Sequence, residues 1–377
     1  EDSNMALGAR DTSLLALPVG WDAGVLEKNA LEDGTTFLTV AQMLNGSVQV
    51  AAQTLYSDPL WSSLLSYTDM PQVAEYAQGG ANGFGEFTEY SRADPKRADT
   101  IGHMLPIKPY DRALAWTWYY LRHARLPQIE ADIADAVKDM GDLLRVCLLS
   151  RLLQRGDDSG AAKGLGTGGY SPGFATTAAS TNVDFVPPAF GGVTFTSTHE
   201  HYVPIAGGAF TAPVFADIKA ELLEHGHLPP YNAMISMADE TTVRGLAGFV
   251  PVAQMGTNYA NTVSLASFGP DYRPDGYNIG TINDVMVRVV HGMPQYYAFA
   301  WKSYGANSQR NPLRMRLPKG QMRPTFEVMT DPTSSNATLP LQYAMIFTEF
   351  GVGVGGDRTN GTARYVNNAA WADGTPT

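Results

Sequence analysis

Four histidines stand in two close pairs, His199 and His201 in "THEHY" and His225 and His227 in "EHGHL". Imidazoles two residues apart on a strand lie on one face and can share a metal ion, and four of them would close a site, with Glu200 or Glu224 as base. That is the equipment of a metal-dependent enzyme. Against it, Glu200 would point to the strand's opposite face, no helical H-E-x-x-H occurs, and paired histidines in polar segments are commonly only solvated. No metal ligand is assigned on this reading, and the metal-dependent enzyme stands as an alternative.

Other chemistry-bearing patterns are weaker. "FGVGVGGDRTNGTARYV" holds Gly351, Gly353 and Gly356 in the G-x-G-x-x-G spacing of dinucleotide-binding loops. Such a loop must open a helix inside a strand–helix–strand unit of about 30 residues. Only 21 residues follow Gly356, with no helical stripe, so the glycines mark a flexible or bulged strand end. In "GLGTGG" at 164–169, Lys163 precedes the glycines, whereas a phosphate loop needs Gly-Lys-Ser/Thr after them. No G-x-S-x-G of a serine hydrolase occurs. Cys147, the single cysteine, sits among apolar residues of an expected helix and reads as a core thiol. No catalytic or cofactor-binding residue is assigned, and no cofactor is expected.

"RNPLRMRLPKGQMR" packs Arg310, Arg314, Arg316, Lys319 and Arg323 into fourteen residues. A nucleic-acid footprint would add aromatics and a basic domain. In a chain of net charge −11, salt bridges to another subunit's carboxylates are the expected use.

These residues must be positioned by elements that the periodicity outlines. Residues 1 to about 35 are polar and glycine-punctuated and read as an extended arm. "TTFLTVAQMLNGSVQVAAQTLYSDPLWSSLL" alternates helical and strand-like runs, with a break at Asp58-Pro59. Residues 76–112 hold two modest strand-like runs around "RADPKRAD", dense in charge and poor in core residues, a hairpin that should project and be ordered by a neighbour. From Pro127 to Arg155 runs a helix with acids early, arginines late and Gly156 as its stop. Ile129, Ile133, Val137, Met140, Leu144, Cys147 or Leu148, and Leu152 give it one apolar stripe. Its 29 residues span about 43 Å. Beyond a glycine-rich loop come strand-like runs around "VTFTSTHEHYVPI", a helix in "APVFADIKAELLEHG" and a strand feeding a helix in "NAMISMADETTVRGL". Two strand-like runs in "TINDVMVRVVHGMPQYYAFAWKS" break at Gly292-Met293-Pro294, and the last 60 residues read as long strands with a turn at "DPTSSNAT".

Composition, 44% hydrophobic and 17% charged, is that of a packed globular protein, and the acidic balance works against broad contact with nucleic-acid phosphates. No run approaches the roughly 18 apolar residues of a membrane span, so no membrane partner is expected. "EDSNMALGARDTS" has neither the basic nor the apolar region of a signal peptide.

The order of arm, charged hairpin, very long helix, glycine loop, middle α/β lobe and terminal strands resembles the major capsid proteins of tailed bacteriophages, the family with the Hong Kong 97-type fold. "GTINDVMVRVVHGMP", "YYAFAWKSYGANSQRNPLRMR" and "EFGVGVGGDRTNGTARY" are similar in texture to late segments of such proteins. The resemblance implies an α+β fold divided as 1–75 N-terminal arm and lead-in, 76–112 extended loop, 113–190 peripheral domain with spine helix 127–155, 191–324 axial domain, and 325–377 returning to the peripheral domain.

It also implies a non-enzymatic shell protein of the virion, assembling in the host bacterial cytoplasm into hexamers and pentamers around dsDNA, with portal, scaffold and maturation protease as assembly partners. A chain opening on Glu1 rather than Met is what the family's maturation cleavage would leave. Inter-subunit contacts would draw on Arg92, Lys96, Arg97, Lys108, Arg310, Arg314, Arg316, Lys319 and Arg323. Some members join a loop lysine to a neighbour's asparagine; Lys96 or Lys108 with Asn360, Asn367 or Asn368 are the positions here, although salt bridging is the commoner use of such lysines. An encapsulin-like compartment shell is the alternative that shares the fold.

Overall fold

The computed structural model describes residue 17 and residues 21–76, 100–114, 116–155, 173–174, 187–196, 199–252, 276–321, 323–330, 341 and 344–376. In chain order its elements are α1 (Ala23–Glu27), α2 (Phe37–Ser57), α3 (Pro59–Leu64), β1 (Leu65–Thr68), β2 (Gln72–Tyr76), β3 (Thr100–Met104), β4 (Lys108–Leu114), α4 (Trp118–His123), α5 (Leu126–Leu153), β5 (Tyr202–Pro204), α6 (Ala212–Glu224), β6 (Tyr231–Ile235), α7 (Glu240–Arg244), β7 (Val250–Pro251), β8 (Gly276–Ile282), β9 (Val285–Val290), β10 (Tyr297–Trp301), β11 (Leu313–Arg316), β12 (Glu327–Thr330), β13 (Ala344–Val354) and β14 (Thr362–Tyr365). They divide between two compact units, each drawn from three stretches: Glu1–Trp61, Ile107–Leu144 and Leu317–Phe350, and Ser62–Pro106, Arg145–Arg316 and Gly351–Thr377.

In the first unit α2 is one helix of 21 residues, not an alternation of helix and strand. Val40, Ala41, Leu44, Val48 and Ala52 are buried at helical spacing, so tertiary burial overrides the β-branched look of "SVQV". Thr36 caps its start by accepting from the Thr39 N–H, and Asp58 accepts from the Leu60 N–H at the expected break. Part of the expected arm also folds: α1 lies there, with Trp21, Leu26 and Leu31 buried. The front of α5 buries Ile129, Ile133, Ala136, Met140 and Leu144, whereas Val137 is only half-buried. Its early acids do more than favour the helix dipole. Asp132 accepts from Trp116 Nε1 at 2.8 Å and the Tyr120 hydroxyl at 3.2 Å, and Arg112 reaches Asp135 and Asp139. β4 and β12 pair antiparallel with the first part of β13, from Lys108↔Phe350 to Leu114↔Ala344 and from Glu327↔Phe347 to Thr330↔Ala344. Residues 108–112 are therefore sheet, not the end of a projecting loop. β2, which ends where the expected loop begins, pairs antiparallel with β3, and residues 77–99, including the expected turn "RADPKRAD", lie outside the described residues.

The second unit is organised by a seven-stranded sheet in the order β5-β14-β10-β6-β9-β8-β7. α6 covers one face, packing Val214, Phe215, Ile218 and Leu222 on Tyr231, Ala233, Ile235, Val285, Val287 and Val289. Phe299 and Trp301 stack on each other, and Phe299 also meets Phe174. All five β10 residues are buried, as expected of a strand covered on both sides. β8 and β9 are joined by Asn283 and Asp284, both at positive φ, the left-handed pair that a tight hairpin requires.

β14 belongs to this sheet, so the tail does not return wholly to the other unit as the domain expectation had it. The last residues of β13 pair with β11, Gly351↔Arg316 to Val354↔Leu313, and the glycines of the dinucleotide-like spacing are thus strand and strand end. A Cβ on Gly355 would stand 2.7 Å from the Asn311 carbonyl oxygen, which explains glycine there by close backbone approach.

Leu222 is fully buried and its neighbour Leu223 is 42% exposed. Leu222→Ala is expected to lower the unfolding free energy by about 2–5 kcal/mol and Leu223→Ala by less than about 0.5 kcal/mol, measured by guanidinium denaturation.

Candidate functional site

The structure brings three of the four sequence-selected histidines together. His199 and His201 lie on the bend leading into β5 rather than on a strand, and His225 ends α6. Gly226, at φ +80°, turns the chain immediately after, and the His227 N–H closes onto the Leu222 carbonyl. His201 is fixed from both sides: its carbonyl accepts from the Ala363 N–H at 2.8 Å, and its Nδ1 lies 2.7 Å from the Gly361 carbonyl.

The three Nε2 atoms form a near-equilateral triangle, 3.0 Å from His199 to His201 and 2.9 Å from each to His225. Phe195 packs against the rings of His199 and His225. His201 and His225 are buried and His199 is half-buried, which corrects the expectation of solvated histidines: the surroundings are set by α6 and the approach to β14, far away in sequence. Burial holds all three imidazoles below the usual histidine range, and charge repulsion from neighbouring rings adds to this at His201 and His225. His227 is not part of the triangle. Its Nδ1 meets the Tyr304 hydroxyl and its Nε2 the Thr359 hydroxyl.

Two carboxylates border the triangle. Glu224 Oε1 lies 3.4 Å from His199 Nε2 and 3.7 Å from His225 Nε2. Burial, then the charge of Glu221, pushes the Glu224 carboxyl up. Glu221 Oε1 is 3.9 Å from His201 Nε2, while its Oε2 accepts from the buried Arg364. Glu200 faces away and binds Arg155 at 2.7 Å. Sequence reasoning passed over Glu221, Arg364 and Gly361. The available signal was an acid three residues after Ile218 on the buried stripe of a helix, which demands a cationic partner.

The cation cluster is less free than its sequence implied. Arg310 lies over the Tyr304 ring and pairs with Asp357. Arg314 donates to Ser66 Oγ and Arg316 to the Leu105 carbonyl, so both spend donors within their own chain. Lys319 and Arg323 are exposed, with no ion pair among the described residues. Lys108 is half-buried in β4, and Arg92, Lys96 and Arg97 lie outside the described residues. Asn360 is fully buried; its side chain donates to the Lys302 and Arg310 carbonyls and accepts from the Lys302 N–H, which withdraws it as an acceptor for a neighbour's lysine. Asn367 and Asn368 are exposed.

No family model matches the chain, and no curated protein matches it. Among solved structures, a chain described as Mycobacterium phage Patience is similar over 92% of this chain and 92% of its own, at 18% identity and a TM-score of 0.61. Looser likeness, too loose to build on, extends to the asymmetric unit of the bacteriophage PhiM1 mature capsid (11% identity, 81% and 86% covered, TM-score 0.46) and to the capsid of a native GTA particle (15%, 84% and 90%, 0.45). The chain shares the α+β fold of the Mycobacterium phage chain over nearly its whole length.

The Glu221–Arg364 pair is buried on both sides. Arg364→Met should lower the unfolding free energy by about 3–5 kcal/mol by stranding the Glu221 carboxylate, and adding Glu221→Leu should restore most of it, as read by chemical denaturation of the single and double variants.

Proposed function

We propose that this chain is the major capsid protein of a tailed bacteriophage, assembling with copies of itself, as hexamers and pentamers, into the icosahedral shell around a dsDNA genome. The carrying observation is the end-to-end correspondence of fold with the Mycobacterium phage chain. In the first unit Val50, Trp118 and Tyr119 are exposed at 54%, 43% and 71%, apolar area that a neighbouring copy would cover. The net charge of −11 suits a wall that should not grip packaged DNA. On this reading the role is geometric rather than catalytic, the protein resides in the virion after assembly in the host cytoplasm, and portal, scaffold and maturation protease act during assembly. The exposed Lys319 and Arg323 supply inter-subunit contacts.

Reversing both exposed cations, Lys319→Glu with Arg323→Glu, should leave far-ultraviolet circular dichroism unchanged while reducing particle yield roughly tenfold or more, measured by sedimentation. Undiminished particles would remove these two residues from the interface. Nucleic acid in purified particles supports a genome container; a co-purifying enzyme in its place would support the compartment alternative.

A further inference from the structure

The histidine triangle is short of protons. A neutral imidazole nitrogen carries either one proton or one lone pair. His201 donates its ring proton to the Gly361 carbonyl through Nδ1, leaving Nε2 as a lone pair. Three Nε2···Nε2 contacts of 2.9–3.0 Å then share at most two protons, each aimed along one direction, so at least one contact has no proton to hold it. His201 is completely buried, beside the ion pair of Glu221 and Arg364. One cation on the side of the triangle satisfies all three nitrogens together.

We propose that His199, His201 and His225 bind a divalent transition-metal ion of the zinc class through Nε2, with the Glu224 carboxylate turning in from beside His199 and His225 as fourth ligand. The ion would staple the bend before β5 to the end of α6. This inference stands whether or not the chain forms a shell.

The dimensions suit the ion. The centre of the triangle lies about 1.7 Å from each nitrogen, so an ion bonded at about 2.0–2.1 Å stands about 1 Å out of its plane. In a tetrahedron with such bonds the ligands are about 3.3–3.4 Å apart. Glu224 Oε1 stands 3.4 Å from His199 and 3.7 Å from His225 but lies outside the cluster that the three imidazoles form, so its side chain must turn inward to reach the fourth position. The nitrogens need to spread by only a few tenths of an ångström.

The surroundings are also those of a metal site. His201 has the outer hydrogen bond to a backbone carbonyl that orients ligating imidazoles. Glu221 Oε1, buried and without a hydrogen bond among the described residues, is a second carboxylate, 3.9 Å from His201 Nε2. Two carboxylates and one guanidinium leave the neutral rings in a net negative setting that favours a cation. Three imidazoles and a carboxylate select zinc, or cobalt in its place, over magnesium and calcium, which take oxygen ligands. With Glu224 turned in at the fourth position, the set would be that of a structural site.

The purified full-length chain, dialysed against zinc and then against metal-free buffer, should retain one zinc ion per chain by mass spectrometry of the metal. Cobalt in its place should give the visible absorption of a tetrahedral site. Glu224→Gln, a partly exposed position, should weaken zinc binding about tenfold or more and alter the cobalt spectrum with circular dichroism unchanged. His201→Ala should lose the metal, and His227→Ala should keep it. Chelation should lower the thermal midpoint of the unmodified chain. Zinc no higher than in the buffer, a midpoint indifferent to chelator, or full zinc content in a folded His201→Ala variant would each overturn the assignment.

Discussion

Arginine, threonine and asparagine can be buried together only where they find partners, and each of these side chains from Arg358 to Arg364 makes at least one hydrogen bond. Arg358 donates to the Gly173 carbonyl, Asn360 links the Lys302 and Arg310 backbones, and Arg364 binds Glu221. His201 meets the same ribbon through its ring and its carbonyl. The second unit is therefore tied together by hydrogen bonds to its C-terminal ribbon as well as by an apolar core. Replacing any one of these side chains strands its partners, so the ribbon specifies one arrangement rather than a range of packings.

The same constraint explains the histidines. α6 brings Glu221, Glu224 and His225 to the edge of the sheet where β14 and β5 run parallel, and Gly361 admits Phe174 and Phe299 so closely that a Cβ there would collide with both rings. Burial in such a place disfavours the charged form of the imidazoles. Neutral, converging lone pairs beside carboxylates are an unfavourable arrangement for a protein alone and a favourable one around a cation.

Much of this architecture was legible in the sequence where the signal is local. The long helix was visible from its apolar stripe, its Pro127 and its late arginines, and the β8–β9–β10 region from its apolar runs broken at Gly292-Met293-Pro294. α2 was misread because its β-branched residues mimic a strand, and only burial against distant segments decides for helix. The histidine pairs were found by spacing, but their burial was not, since residues 199–201, 221–225 and 361–364 meet only through sheet pairing and the packing of α6. The polar ribbon failed for the same reason: "DRTNGTARYV" has the composition of a loop, and nothing within it reveals the carbonyls that will accept its protons.

The proposed shell role asks for one fixed shape with apolar surface left for neighbours, and the non-local polar bonds of the second unit and the exposed Trp118 and Tyr119 are consistent with it. Electron microscopy of the purified chain tests this most directly. The account predicts closed shells of uniform diameter built from this polypeptide alone or with its assembly partners. A monodisperse, solitary globule under conditions that keep the chain folded, with no shells at any concentration or with those partners present, would contradict it.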